Sequence, residues 1–220
     1  MKKITLGIVI IILVILIYDI FKDSKVYYVS IGDFSTISSN IDYGYKNYIE
    51  DYLDEKSVLE KYVNIYNAED RVTDIIRNIT DNKEYGGKKI QNILIKADIL
   101  TISIGYNDII SKVNKYNTSD MMKYIDSYLK DLEELYKIVR VYDKEDIIMI
   151  GYYNPYDPKY NKIIDYLNDS VSILASNYKI YYINVSDLKK YNLEDRIDIE
   201  GHHIIFDRLR YILDNNIKRK

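Results

Sequence analysis

The chain holds two imidazoles, His202 and His203, adjacent in Asp198-Ile199-Glu200-Gly201-His202-His203, and any histidine-based proton transfer must use one of them. A Ser–His hydrolase also needs a carboxylate to fix the histidine tautomer, and spacing alone leaves both Asp198 and Glu200 open for that role. Adjacent histidines beside acids could hold a metal, but sequence neighbours point in different directions and no third histidine exists. No metal site is expected. The alternative for this segment is a polar loop carrying surface histidines.

A second segment, Gly105-Tyr106-Asn107-Asp108, comes directly after the apolar run Ile99 to Ile104. As plain structure it is a turn, because Gly and Asn tolerate positive φ and Asp caps the next segment. As chemistry, the Asn107 amide could donate to a developing oxyanion. A third segment, Ile31-Gly32-Asp33-Phe34-Ser35-Thr36, ends another apolar run, Val26 to Ile31.

Positioning these segments requires a framework, and the periodicity supplies one. Apolar runs at 26–31, 63–66, 99–104, 146–152 and 179–185 read as strands. Helical patterns fall at 45–59, 71–79, 90–97, 119–141, 160–177 and about 204–217, with Ser119 or Asp120 capping the fourth. Lys83 to Lys89, with Gly86-Gly87 inside it, reads as a loop. Five strands separated by helices predict an α/β fold with a mainly parallel sheet, since parallel neighbours need crossover connections. Sites in such sheets form at the carboxyl ends of the strands. Two of the segments lie there and the histidines just precede the last helix, so all three are expected to share one site.

Composition narrows the rest. The 220 residues, 47% of them hydrophobic, suit one domain with a full core. Met1-Lys2-Lys3 leads into an apolar run from Ile4 to Tyr18, and Asp19 to Lys22 returns to polar character. No alanine precedes Ala68, so the small-residue signal of a cleavage site is missing and residues 1–22 are expected to form an uncleaved transmembrane anchor. Lys2 and Lys3 place the amino terminus in the cytoplasm and the domain, residues 23–220, outside. Cysteine is absent, which removes disulfides, thiolate metal sites and a cysteine nucleophile. A net charge of −3 with interspersed signs argues against nucleic acid as a partner. The 26 tyrosines could serve glycan or polymer stacking, although AT-rich coding accounts for the same bias.

Taken together and in order, the three segments resemble the signature blocks of the SGNH, or GDSL, hydrolases, over nearly all of Val26 to Leu213. Gly32-Asp33-Phe34-Ser35-Thr36 is similar to Gly-Asp-Ser-Leu-Ser/Thr, Gly105-Tyr106-Asn107-Asp108 matches Gly-x-Asn-Asp, and Glu200-Gly201-His202-His203 is similar to Asp-x-x-His. Tyr153-Asn154-Pro155 is similar to a strand-end segment of membrane-anchored bacterial lipase- or esterase-like members. The resemblance implies a three-layer α/β/α sandwich of flavodoxin-like type and an extracytoplasmic ester hydrolase working without a cofactor. It implies His203 as base, Glu200 as the carboxylate behind it and Asn107 as oxyanion donor, with Asp33, Phe34, Gly105 and Tyr106 bounding the substrate. The nucleophile's place falls on Phe34, and Ser35, one residue on, is the candidate substitute where a bulge or turn rotates it into line.

Two departures qualify the implied chemistry. Phe34 holds the place of the family serine, and Asn64 to Arg71, where the second block supplies a glycine N–H, contains no glycine. Three functions remain as expectations. One is hydrolysis of an acyl ester, on a small molecule or an acylated cell-envelope component. The others are a catalytically inactive binding domain and acyl transfer to an envelope glycan.

Overall fold

The structure, a computed structural model, describes residues 25–33, 42–142, 146–193 and 196–219. The anchor expected over residues 1–22, together with Phe34 and Ser35, lies outside the described residues. Among the described residues no helix is long and apolar enough to cross a membrane.

Seven consecutive buried residues, Val-Tyr-Tyr-Val-Ser-Ile-Gly, form β1 (Val26–Gly32). A run buried on both faces is what a central parallel strand demands. β5 (Ile99–Ser103) and β6 (Asp146–Ile150) are equally buried, whereas β2 (Leu59–Tyr66) alternates between exposure and burial and β7 (Tyr181–Ile183) is short. The order across the sheet is β2-β1-β5-β6-β7 with every pairing parallel. Two-residue hairpins, β3 (Glu84–Tyr85) with β4 (Lys88–Lys89) and β8 (Asn192–Leu193) with β9 (Arg196–Ile197), decorate the connections. The loop expected at 83–89 is the first of these.

Helices cover both faces. One layer packs α1 (Tyr45–Glu55) and α6 (Ile199–Arg219) against Val26, Tyr28, Ile99 and Ile148. The other is built from α2 (Val72–Thr80), α3 (Ile90–Lys96), α4 (Thr118–Tyr142) and α5 (Asn161–Asn177) over Tyr27, Val29, Ile31, Leu100 and Ile102. In α4 the buried residues Met121, Ile125, Tyr128, Leu132, Leu135, Tyr136 and Val139 recur at helical spacing and make the stripe that meets the sheet. The three-layer α/β/α sandwich with a parallel five-stranded sheet is therefore present. The first crossover leaves β1 toward one edge and the later ones build toward the other, so the strand order reverses between β1 and β5. Ligands in open α/β sheets bind beyond the carboxyl ends at such a reversal, and here those ends are Gly32-Asp33 and Ser103 to Gly105.

Two boundaries differ in ways that matter. α4 is capped by Asn117, whose Oδ1 accepts the Asp120 N–H at 3.0 Å, rather than by Ser119 or Asp120. More consequentially, the last helix begins at Ile199 and not near Ile204, because Asp198 caps it: Oδ1 accepts the Gly201 N–H at 2.8 Å. The histidine pair thus lies inside the helix and not in a loop before it.

Candidate functional site

Asp33 is the centre of the strand-end region. It is fully buried, and its Oδ2 accepts the backbone N–H groups of Gly105 and Tyr106, each at 2.8 Å, while its own N–H continues the ladder to Ser103 O at 3.2 Å. The strand-end segments that begin at Ile31 and Gly105 are therefore physically joined by this carboxylate. Gly105 is required at its position: its φ is +121°, and an added Cβ would lie 2.7 Å from the Tyr128 hydroxyl and 2.9 Å from the Tyr152 ring. The two hydroxyls lie 3.1 and 2.9 Å from Ile104 O and hydrogen-bond to each other, so of their two hydrogens one goes to the carbonyl and the other to the neighbouring phenol oxygen. Burial pushes both phenols well above the ordinary tyrosine range.

Asn107 faces the β2–α2 connection. Its Nδ2 donates to Ala68 O at 2.8 Å and to Asp70 O at 2.9 Å. An amide carries two hydrogens, so this geometry commits both to closing the loop and leaves neither for an oxyanion. The next residue, Asp108, accepts the Val72 N–H at 3.2 Å and so anchors the start of α2. Burial pushes its carboxyl up to about 6, with the Val72 N–H opposing and the charge of Asp33 adding to the rise.

The terminal segment is divided by its helix. His202 is fully buried and stacks on Tyr45, ring centroids 6.1 Å apart. Its Nδ1 accepts the Tyr45 N–H at 3.3 Å, which places the proton of the neutral ring on Nε2. A Ser–His pair requires the opposite arrangement, with Nδ1–H donating to a carboxylate and Nε2 free to accept. His203, about 100° further round α6, is half-exposed, meets the Tyr48 ring edge-on, and has Nδ1 3.3 Å from Asp207 Oδ2. The carboxylate beside the expected base is thus Asp207, one helical turn onward, and not Glu200, which is exposed in the first turn. Asp198 spends its carboxylate on the helix cap.

The structure consequently brings together Asp33, Gly105 and Tyr106, sets Asn107 beside them on the loop it clasps, and places Glu200 and His203 on the outer side of α6. Phe34 and Ser35 lie outside the described residues. Sequence reasoning missed Lys46, which is 3% exposed and sits with Nζ 4.6 Å from the centroid of the Tyr66 ring, at the end of β2. Burial lowers its ammonium pKa and the carboxylate of Asp42 opposes that. The signal was available, since Tyr45, Lys46, Ile49 and Leu53 share the inward face of α1. Among the described residues no group of three or more His, Asp or Glu side chains is placed to hold a metal ion.

Solved structures share this architecture. A lipase from a goat rumen metagenome superposes with a TM-score of 0.70 at 16% identity, covering 85% of this chain and 97% of that one. An acetylxylan esterase from Geobacillus stearothermophilus gives 0.65 at 19% identity, with 87% and 96% covered. A phospholipase A1 from Streptomyces albidoflavus gives 0.58 at 14%, with 84% and 98% covered. At these identities the likeness is one of fold. No curated protein sequence matches the chain. The family profile of the GDSL-like lipases and acylhydrolases matches residues 22–209, nearly the whole chain. With the ordered strand-end segments gathered on Asp33, this match establishes that the protein belongs to the SGNH/GDSL hydrolase family.

Proposed function

We propose that this protein is an outward-facing domain, held to the membrane by residues 1–22, that binds an acylated cell-envelope component at the strand-end site without Ser–His hydrolysis. The observation that carries this reading is the disposition of the imidazoles. His202 is buried with Nδ1 already accepting a backbone N–H, and His203 points outward to Asp207. Two further features support it: Phe34 stands in the serine place, and both amide hydrogens of Asn107 are engaged. A site of this kind retains the shape of an esterase while lacking the proton acceptor that activates a serine.

The competing reading is acyl-ester hydrolysis, or acyl transfer to a glycan, with Ser35 attacking, His203 accepting its proton and Asp207, rather than the expected Glu200, beside the imidazole. What favours it is the hydroxyl at Ser35, one residue beyond Phe34, in a fold shared with lipases and esterases.

One experiment separates the two. The full-length chain in detergent is treated with a fluorophosphonate probe and mapped by mass spectrometry, alongside turnover of p-nitrophenyl acetate by the wild type, Ser35→Ala and His203→Ala. The binding reading expects no adduct on Ser35 and the same background turnover in all three. An adduct on Ser35 overturns it, and loss of that adduct in His203→Ala would assign the base.

A further inference from the structure

A chain with a net charge of −3 nonetheless gathers Arg71, Lys112 and Lys115 around a single cavity of about 630 Å³, which Asn107 also lines. Among the described residues none of these three cations has a carboxylate within ion-pair distance. Asp74, on the same wall, is held by Arg77 at 2.6 Å and by the Arg71 N–H at 3.1 Å, which leaves Glu69 as the other acid there. The balance of this cavity favours an anion.

The cavity does not end at Lys115. Arg71 and Lys112 also wall a smaller depression of about 210 Å³ whose acids are Asp108, shared by both cations and pushed up to about 6 by burial, and Asp131; Tyr116 and Tyr124 border a third of about 360 Å³ with Asp120 and Lys123. The three adjoin through shared walls, Arg71 and Lys112 between the first two and Tyr116 and Tyr124 with the third, and together line one grooved face. At their junction Tyr116 and Tyr124 are 42% and 39% exposed, with ring centroids 5.0 Å apart, and the Lys112 ammonium sits 5.4 Å from the Tyr124 centroid. Exposed aromatic faces bordered by carboxylates and hydroxyls suit sugar rings: the C–H faces pack on the tyrosines, and sugar hydroxyls donate to Asp120 and Asp131.

We propose that this groove binds an anionic glycan, with sugar rings on the Tyr116–Tyr124 pair and an acidic substituent, carboxylate or phosphate, between Arg71, Lys112 and Lys115. The proposal deepens the binding reading above by naming the ligand class, and it rests on that reading because Asn107 connects the groove to the strand-end site.

The test uses the full-length chain in detergent and isothermal titration with three probes: oligogalacturonate, its neutral methyl ester, and a glycerol-phosphate glycopolymer. One acidic probe or both should bind, the neutral ester about tenfold more weakly, with affinity falling as salt rises. The two acidic arms identify which anion is held. Lys112→Gln should lower acidic-probe affinity about tenfold, and Tyr124→Ala should weaken both acidic and neutral probes. Lys162→Gln, an equal charge change on exposed α5, should leave affinity unchanged. Thermal unfolding of each variant separates loss of binding from loss of fold. Equal binding of neutral and acidic oligomers, failure of both acidic probes to bind, or an equal loss in Lys162→Gln overturns the proposal. Labelling of Ser35 by fluorophosphonate would sink the non-hydrolytic reading while leaving groove binding measurable in its own right.

Discussion

Two segments of the same chain, Gly105-Tyr106-Asn107-Asp108 and Glu200-Gly201-His202-His203, end in opposite situations. In the first, nearly every polar group is turned into the scaffold. Asp33 holds the Gly105 and Tyr106 N–H groups, Asn107 ties down Ala68 and Asp70, and Asp108 anchors Val72. In the second, a helical backbone separates neighbours: His202 enters the core and His203 faces solvent. The lesson is that a matched motif can serve architecture, because a strand end needs its hydrogen bonds whether or not a reaction occurs there. Where a helix begins sets the direction of each side chain in its first turns, and so what a motif placed there can reach.

Three sets of substitutions would break or sharpen this contrast. Gly105→Ala should be the most damaging. It forces a side chain into a positive-φ position against Tyr128 and Tyr152, and about 3 kcal/mol or more of stability should be lost in urea unfolding. A neutral outcome would show that the first segment is not the rigid element described.

The next largest effect is one of pH. Asp108 titrates at about 6 in the folded chain against 3.8 when free. Between those values the folded state holds a proton that the unfolded state has released, so this group's contribution to stability falls as pH rises through that window, by up to about 3 kcal/mol. Asp108→Asn keeps an oxygen for the Val72 N–H and cannot ionise. Urea midpoints from pH 4 to 7.5 should therefore decline more steeply in the wild type than in Asp108→Asn, and parallel profiles would refute the assignment.

The smallest effect tests the histidines against each other. His202→Ala opens a buried space and removes the acceptor of the Tyr45 N–H, at a cost of about 2 kcal/mol. His203→Ala removes an exposed pair and should fall within about 0.5 kcal/mol of wild type. Equal losses would mean that the two rings are not divided by the helix as observed.

Much of the framework was legible in the chain itself. Val26 to Ile31 and Ile99 to Ile104 read as buried strands because runs without polar alternation have only the middle of a parallel sheet to occupy. Tyr45, Ile49 and Leu53, or Met121, Ile125, Leu132 and Leu135, announce helices by their spacing. Even the fate of the histidines was partly written: His202, Ile205, Leu209, Ile212 and Leu213 form one apolar stripe once the helix is extended back to Ile199. What concealed it was Gly201, a poor helix former that reads as a break, while Asp198 supplied the cap that overrode it.

The order of strands and helices, the family and the convergence of Asp33 with Gly105 were set by the pattern of apolar residues and turn formers, since these act locally or through simple burial. Which hydrogens of Asn107 are spent, which imidazole is buried, and how Arg71, Lys112 and Tyr124 line one groove were decided only in three dimensions. Each depends on groups from separate elements, such as Arg71 at the start of α2 meeting Lys112 ahead of α4. Chain spacing carries no information about direction across such gaps, and it is direction that determines whether a polar group holds the fold together or meets a ligand.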